Sequence, residues 1–589
     1  MLKIDNKADI YTYRVLFLFL CSLMVALIGR YYYLQVIEYD RHFSKSQINR
    51  VKAVTTYASR GLIFDRNGEL LVDNYPTYVL TVIPYKLDDK EKSFKELSSI
   101  LDTEFDELNR RYKKYYRGRM LPTIIAKNLS FEQISEIEER KLEFPAFEYR
   151  PFNERIYPSS FSHSHILGYL KEVDRETVPS LDKSLLYRAG ELIGWQGVEK
   201  QYERELRYSK GVSYLEVDTY GREVFELEDG KVVALPGENL YLSIDSGLQQ
   251  FTKDLLEGQK GSVIMSHVNT GEILAMVSSP SYNLDIYRGT TSEEDWENIL
   301  KNPDKPLLNR SVSGLYPPGS PFKLITTFNL LENNLIANSD SVMCSGLKEY
   351  GGIERGCWRE DGHGFIDLTK AISESCNIYF YEKVQLVSLK DWISTAEIFG
   401  FNQITDIDLP TEKIGIIPDK DFFTRQYGRW GWSERGVLLN LTLGQGDLLV
   451  TPIQSLRFIN HIATRGKNTP RLRLNLNSQL SYYESIQYSD RTWDYIENAL
   501  FAAVNSDFGT ARRAMPENQD IPFFAKTGTA QNPHGEPHAW FIGFFEFKGE
   551  KYSIVTIVEN GGGVATVASP IAGDIVSYFI NSNTYIANK

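Results

Sequence analysis

The sequence predicts an α+β protein of several domains: an N-terminal transmembrane helix, an elongated α+β pedestal, and a C-terminal domain with an antiparallel sheet and helices on both faces. Three observations carry this. The run Val15 to Gly29 is apolar and free of charge, near the start of the chain. The middle of the chain mixes strand-type and helix-period segments without gathering reactive groups. From Leu240 onward, strand-type segments stand at both sequence ends of a stretch that reads as helical between them, and one antiparallel sheet with a helix layer on each face is the simplest way to close it.

At 589 residues the chain exceeds one domain, and its 42% apolar and 24% charged content is that of a globular protein with ample core material. The net charge of −12, with no basic stripe studded with aromatics, argues against nucleic acid as a partner. Four cysteines are too few for a disulfide scaffold. Three of them, Cys344, Cys357 and Cys376, fall in one short stretch.

The apolar run is extended by Tyr11 and Tyr13 before it and by Tyr31 to Leu34 after it, while Arg14 and Arg30 can snorkel. It approaches the roughly 20 residues a span needs. A cleaved signal peptide is the alternative, but no clear small-x-small cleavage site follows. The expected division is a cytoplasmic tail over 1–14, an anchor over 15–36, a pedestal over 37–238 and a C-terminal domain over 239–589. Lys3, Lys7 and Arg14 are balanced by Arg30, Arg41, Lys45 and Arg50, so charge leaves the orientation open.

In the pedestal, Asn67-Gly68 predicts a hairpin turn between apolar half-strands, and 76–84 a further strand. Residues 89–117 have helical periodicity, and Ser130 with Gln133 predicts a capping box. In the C-terminal domain, 248–257 reads as an amphipathic helix, and 262–268 with 273–278 as a hairpin around Asn269 to Glu272. A second hairpin, 539–547 with 552–558, turns at Lys548-Gly549, and Ser569-Pro570 is expected to cap a final helix.

Tyr316-Pro317-Pro318-Gly319-Ser320-Pro321-Phe322-Lys323 organises the rest. The prolines and glycine forbid helix before the serine, while Pro321 suits a first helical turn. Leu324, Ile325, Phe328, Leu330 and Leu331 continue it as a buried helix. A serine at a helix start has an outward N–H ready for developing negative charge, and Lys323 lies one turn along on the same face. Taken alone, the pair reads as an N-cap and a solvated lysine. Two distant segments change that: Ser375-Cys376-Asn377 at a helix boundary, and Lys526-Thr527-Gly528-Thr529 after the strand-like Phe523-Phe524-Ala525, where Gly528 is expected to let a substrate backbone approach closely.

The three motifs in this order resemble the penicillin-recognising serine acyl-transferases. Flanking segments narrow the resemblance to the class B penicillin-binding proteins. The anchor, Arg60-Gly61, Asp65-Arg66-Asn67-Gly68, Arg155 with Tyr157-Pro158, His165 with Gly168-Tyr169, and Gly197-Val198-Glu199 with Tyr202 look like their pedestal. Asn269 to Val277, Leu443-Gly444-Gln445-Gly446 and Thr451-Pro452-Ile453-Gln454 look like their transpeptidase domain. Tyr78 to Pro84, Tyr316 to Gly319 and Gly362-His363-Gly364 are most similar to the elongation-specific members. Pro321 and Cys376 depart from the small residues common there, and neither removes a reacting group.

The resemblance implies a peptidoglycan D,D-transpeptidase of the cell wall, inhibited by β-lactams, with D,D-carboxypeptidase as a side activity. Ser320 would be the nucleophile, Lys323 its base with a pKa depressed by a Lys526 cation, and Ser375 the donor to the leaving group. Asn377 would hold the acyl side chain. Lys526, Thr527, Gly528 and Thr529 would receive the substrate carboxylate and backbone, and the Ser320 and Thr529 N–H groups would form the oxyanion hole. Such a domain must face the peptidoglycan, which fixes the orientation as single-pass in the inner membrane. The implied partners are stem peptides, a polytopic SEDS-type (RodA-like) glycosyltransferase and elongation-complex scaffold proteins. A division-specific transpeptidase, a β-lactam sensor and a non-catalytic scaffold are the competing readings.

Cys344, Cys357, His363 and Cys376, spaced x12, x5 and x12, could complete a Cys3His zinc site, structural rather than catalytic, since the chemistry itself needs no cofactor. Some relatives carry zinc on a loop beside the active site, and His363 and Cys376 match their ligand positions. A Cys344–Cys357 disulfide and free thiols are the alternatives.

Overall fold

A computed structural model of the chain describes residues 6–41, 51–116, 118–119, 122–174, 176–217, 223–287, 293–337, 339–516, 521–533, 535–563 and 566–587. They divide into two compact units, Met1–Arg60 with Arg207–Glu238, and Gly61–Leu206 with Asn239–Lys589. The sequence places a boundary at 238/239, whereas most of the predicted pedestal packs in one unit with everything after Asn239.

The first unit holds the helix Asn6–Tyr32 and a three-stranded antiparallel sheet of Val51–Thr56, Gly211–Val217 and Glu223–Val232. The stretch Ile10–Ile37, 28 residues with none of its most apolar window buried, is long and apolar enough to cross a bilayer.

In the second unit, the expected turn at Asn67-Gly68 joins Ile63–Phe64 to the long strand Leu70–Val82. Buried Asp65 makes the turn: its Oδ1 accepts from the N–H groups of Asn67 and Glu69, both at 2.8 Å. Its Oδ2 accepts from Ser246 N at 3.2 Å, and Ile63–Phe64 pairs in parallel with Leu240–Tyr241. These two links bind residues 61–206 to the chain beyond 239. The charged segment 89–117 forms two helices, Lys90–Ile100 and Phe105–Tyr115, broken where Asp102 takes φ +47°. The Ser130/Gln133 capping box is present. Deeper in, Arg155 Nε donates to Glu199 at 2.7 Å and its Nη1 to Asn74 at 3.0 Å. That pair is almost fully buried, so each charge depends on the other to remain out of water.

The central sheet has five antiparallel strands in the order Ile273–Ser279, Gly261–His267, Glu550–Val558, His538–Phe547, Phe523–Ala530. Alternation sorts its side chains onto two cores. Ile264, Trp540, Ile542, Phe544, Val555 and Ile557 face the helix Pro452–Ala463, and Val263, Met265, Phe541, Phe545 and Ile554 face the terminal helix Ala568–Ala587. The predicted layers are thus present, as are both hairpins. Ser569 does not cap the last helix. It lies inside that helix, and its buried hydroxyl has no hydrogen-bond partner among the described residues.

Candidate active site

The first motif sits where the sheet's outer strand meets a buried helix. Ser320–Phe322 forms a single 3-10 turn entered through Gly319 at φ +66°, and the helix Lys323–Glu332 follows it, buried almost throughout. Tyr316 anchors the turn from below. Its hydroxyl donates to Glu559 Oε1 at 2.7 Å, the oxygen that also accepts from Arg310 Nε at 2.8 Å. Trp540 Nε1 donates to Pro317 O at 2.9 Å, and Gly319 N donates to Gly444 O at 3.0 Å. Ser320 stays partly accessible on this rigid support.

The second motif is placed by the way a helix ends. The helix Leu368–Ser373 closes with Ser375 N donating to Ile372 O and Cys376 N to Ala371 O, the paired bonds of a Schellman motif. Glycine normally occupies its left-handed position; here Ser375 does, at φ +56°. A non-glycine residue there stores on the order of 1 kcal/mol of strain, of the kind found at functional sites. The turn aims Ser375 and Asn377 at Lys323 while Cys376 is buried on the opposite side.

Lys323 joins the first two motifs. Its Nζ donates to Ser375 O at 2.8 Å, Ser375 Oγ at 3.1 Å and Asn377 Oδ1 at 2.8 Å. Burial lowers its pKa to about 8, against the opposing pull of the Cys376 and Cys357 sulfurs. A Lys526 cation, the cause expected from the sequence, is not among the influences on Lys323. Instead, burial first and the Lys323 charge second hold Lys526 well below the ordinary lysine value. Burial is thus the one influence that lowers Lys323. Ser320 Oγ makes no hydrogen bond among the described residues, a common state for a free enzyme whose catalytic contacts tighten on binding.

The third motif lies on the free edge of the sheet, since among the described residues Phe523–Ala530 pairs only with His538–Phe547. Lys526 is buried, its Nζ donating to Thr527 O at 3.0 Å, and Thr529 is exposed. A Cβ on Gly528 would come within 2.5 Å of Pro321 Cδ and 3.0 Å of Pro318 O. Glycine here therefore lets the strand pack on the serine turn; the sequence reading had given that space to substrate. A Cβ on Gly319 would stand 3.1 Å from Thr529 O and 3.3 Å from Thr529 N, so the Thr529 peptide faces the residue just before Ser320.

Thr510 was not singled out from the sequence, where it is one hydroxyl in a turn after the helix Asp490–Asn505. Its N–H and its hydroxyl both donate to Ser373 O at 3.2 Å, and its Oγ1 accepts from Thr527 Oγ1 at 2.7 Å. It thereby ties the second motif to the third. Replacing Thr510 by valine is expected to slow acylation by a β-lactam about tenfold, the worth of one hydrogen bond, with Thr510→Ser near wild type. Stopped-flow acylation rates, read beside melting curves, check this.

Cys344, Cys357, His363 and Cys376 come together with all four donor atoms within 4.8 Å of one another. Two small hairpins, Ser341–Cys344 with Gly364–Asp367 and Leu347–Tyr350 with Ile353–Gly356, carry the loop. His363 Nδ1 lies 3.5 Å from Cys344 Sγ and 3.6 Å from Cys357 Sγ. Zinc bonds of ~2.3 Å to sulfur and ~2.05 Å to nitrogen at a tetrahedral angle give an S···N separation of about 3.55 Å. All four cysteines of the chain are free thiols, so the Cys344–Cys357 bridge is not formed. The Cys357 thiol is drawn well below its ordinary value, first by the hydrogen bond from Cys376, which is driven up in return. The donor set fits a zinc ion.

A serine and a buried lysine one turn apart, a serine and asparagine bonded to that lysine, and a lysine-bearing edge strand define a serine acyl-transferase site of the penicillin-binding kind. The family models agree: residues 55–242 match the penicillin-binding protein dimerisation domain and 261–577 the penicillin-binding protein transpeptidase domain. The chain belongs to the class B penicillin-binding proteins, on the penicillin-binding protein 2 branch. It is 30% identical to the peptidoglycan D,D-transpeptidase MrdA of Salmonella typhimurium, over 94% of this chain and 93% of that one. Among solved structures it is similar to penicillin-binding protein 2 of Helicobacter pylori in complex with MreC, with TM-score 0.82, 26% identity, and 91% and 100% of the two chains covered. It is also similar to a chain of a peptidoglycan synthase complex described as coordinating polymerization and crosslinking, with TM-score 0.71, 26% identity and 98% of each chain covered.

Proposed function

We propose that this chain cross-links peptidoglycan stem peptides through an acyl-enzyme on Ser320, as the elongation-branch D,D-transpeptidase of its cell. The observation that carries the reading is Lys323: fully buried, lowered to about 8, and bonded at once to Ser375 Oγ and Asn377 Oδ1. A lysine so placed can accept a proton near neutral pH and pass it through the Ser375 hydroxyl.

In this reading Ser320 Oγ attacks the carbonyl of the terminal D-Ala–D-Ala bond, and its proton moves to Lys323 Nζ. The carbonyl oxygen gains charge between the N–H groups of Ser320 and Thr529. The C–N bond breaks, Ser375 delivers the proton to the departing D-alanine nitrogen, and Lys323 restores the Ser375 proton. An amine of a neighbouring stem peptide then attacks the ester, releasing Ser320 and forming the cross-link. The substrate carboxylate sits at Lys526 with Thr527 and Thr529. It favours the charged form of Lys526. β-Lactams acylate Ser320 in the same way, but ring opening leaves no departing fragment.

Residues 1–14 would lie on the cytoplasmic side and 15–36 span the inner membrane, with the 37–238 pedestal and the 239–589 transpeptidase domain outside. One zinc ion would be held by Cys344, Cys357, His363 and Cys376, keeping the second motif in place and taking no part in acyl transfer. The similarity to a chain solved in complex with MreC and to one from a synthase complex of polymerization and crosslinking supports a scaffold protein and a RodA-like glycosyltransferase as partners.

The test is peptide mapping of the full-length protein after incubation with penicillin. The adduct mass is expected on the peptide containing Ser320. An adduct elsewhere, or none, would overturn the reading.

A further inference from the structure

The Thr529 carbonyl is an acceptor at the free edge of the sheet, and it already receives one hydrogen bond from a side chain. Gln445 Nε2 donates to Thr529 O at 3.1 Å. Thr529 O can only accept, so the carboxamide must present its nitrogen there. The backbone beneath Gln445 is fixed. Gly444 N donates to Leu441 O at 2.9 Å and Gln445 N to Asn440 O at 3.0 Å, closing the helix Glu434–Thr442. Gly444 takes φ +67°, where a Cβ would lie 2.1 Å from Gly319 O. The loop is thus clamped on the serine turn, and only the half-buried side chain of Gln445 is at liberty to swing.

The position of this acceptor gives the contact its meaning. In a strand, the N–H and C=O of one residue point to the same side. The Thr529 carbonyl therefore lies beside the Thr529 N–H assigned to the oxyanion hole. A stem peptide carries an amide N–H on the carbon next to its reacting carbonyl. With that carbonyl in the oxyanion hole, strand pairing sends the N–H to Thr529 O. The carbonyl has two lone pairs, but the substrate N–H and the Gln445 carboxamide reach it from the same open edge, so a strand pairing there must push the carboxamide aside.

We propose that Gln445 is a latch and a specificity-determining residue: its carboxamide closes the edge acceptor in the free enzyme, and ligands bearing the amide N–H must displace it. The latch rests on Ser320 being the nucleophile. It predicts a split between two inhibitor classes. Penicillins carry an acylamino group beside the reactive carbonyl, whereas carbapenems carry a hydroxyethyl group and have no N–H to place there.

The experiment measures second-order acylation rates of the detergent-solubilised full chain with one ligand of each class, for wild type, Gln445→Ala and Gln445→Asn. Withdrawing the carboxamide is expected to raise the penicillin rate about five- to tenfold, the scale of one exchanged neutral hydrogen bond, and to leave the carbapenem rate within about twofold. Asparagine, one carbon shorter, should behave like alanine while preserving the polar surface. Equal changes with both ligands would make Gln445 a brace for the strand and overturn the latch, as would unchanged rates with both. Absence of acylation of the wild type by either ligand would instead bring down the Ser320 reading, and the latch with it.

Discussion

Replacing Lys323 by methionine is expected to lower acylation of Ser320 by about 10³- to 10⁴-fold, the upper range for loss of a positioned general base. The loss is chemical: methionine fills much of the same buried space, and Ser320, Ser375 and the edge strand keep their supports. The pH dependence follows from the same residue. Only neutral Lys323 can take the serine proton, so the wild-type acylation rate should rise as pH increases through about 8 and level off above it. Stability moves oppositely to activity. The folded pKa lies below the unfolded one, so at neutral pH, below both, burial of the ammonium costs roughly 3 kcal/mol by linkage. Between about 8 and the unfolded value the unfolded chain binds more protons, and wild-type stability should climb with pH. Lys323→Met lacks that climb. Its melting temperature at pH 7 should be no lower than wild type, the lost bonds to Ser375 and Asn377 being offset by removal of the buried charge. A collapse in melting temperature parallel to the rate would instead make Lys323 a structural strut.

What the sequence displayed and what it hid separate along physical lines. The hairpins at Asn67-Gly68 and Lys548-Gly549 and the box at Ser130 with Gln133 were legible because each is a local backbone demand met by adjacent side chains. Ser569 was misread because a serine before proline resembles a cap, while the helix starts at Ala568. Ser375 was recognised as motif but not as a left-handed closing residue, since glycine usually marks that position. The cause of the Lys323 shift, the space Gly528 provides and the tie made by Thr510 all depend on segments distant in sequence. The packing of 61–206 with the chain beyond 239 uses contacts such as Asp65 with Ser246 N, 181 residues away, and Gln249 with Ser162 O, 87 residues away. Alternation and turn chemistry carry no signal of such a contact.

Removing the metal proposed at Cys344, Cys357, His363 and Cys376 is expected to lower acylation about 10²-fold, comparable to loss of an outer-shell partner in a metal site. The hairpins that carry these ligands have little core of their own. Met343 and Phe365 face each other across one and are both exposed, as are Leu347, Ile353 and Trp358. Lys348 and Tyr350 tie the far end of the loop to Glu382, while the cluster ties it to the start of the same helix beside Lys323. Asn377 N donates to Cys357 Sγ at 3.4 Å and Asn377 Nδ2 to Gly356 O at 3.3 Å, while Asn377 Oδ1 holds Lys323. With Cys376 between Ser375 and Asn377, a loosened cluster would let Asn377 move off Lys323 and relax the left-handed turn at Ser375. Metal analysis of the full chain should give one zinc per molecule, and cobalt substitution should give the visible bands of a tetrahedral thiolate site. Chelation should reduce the acylation rate and zinc should restore it, with Cys357→Ser reproducing the loss irreversibly. Zinc well below one per chain, together with a Cys344–Cys357 bridge by mass spectrometry, would show that oxidation holds this loop; chelation would then leave the rate unchanged.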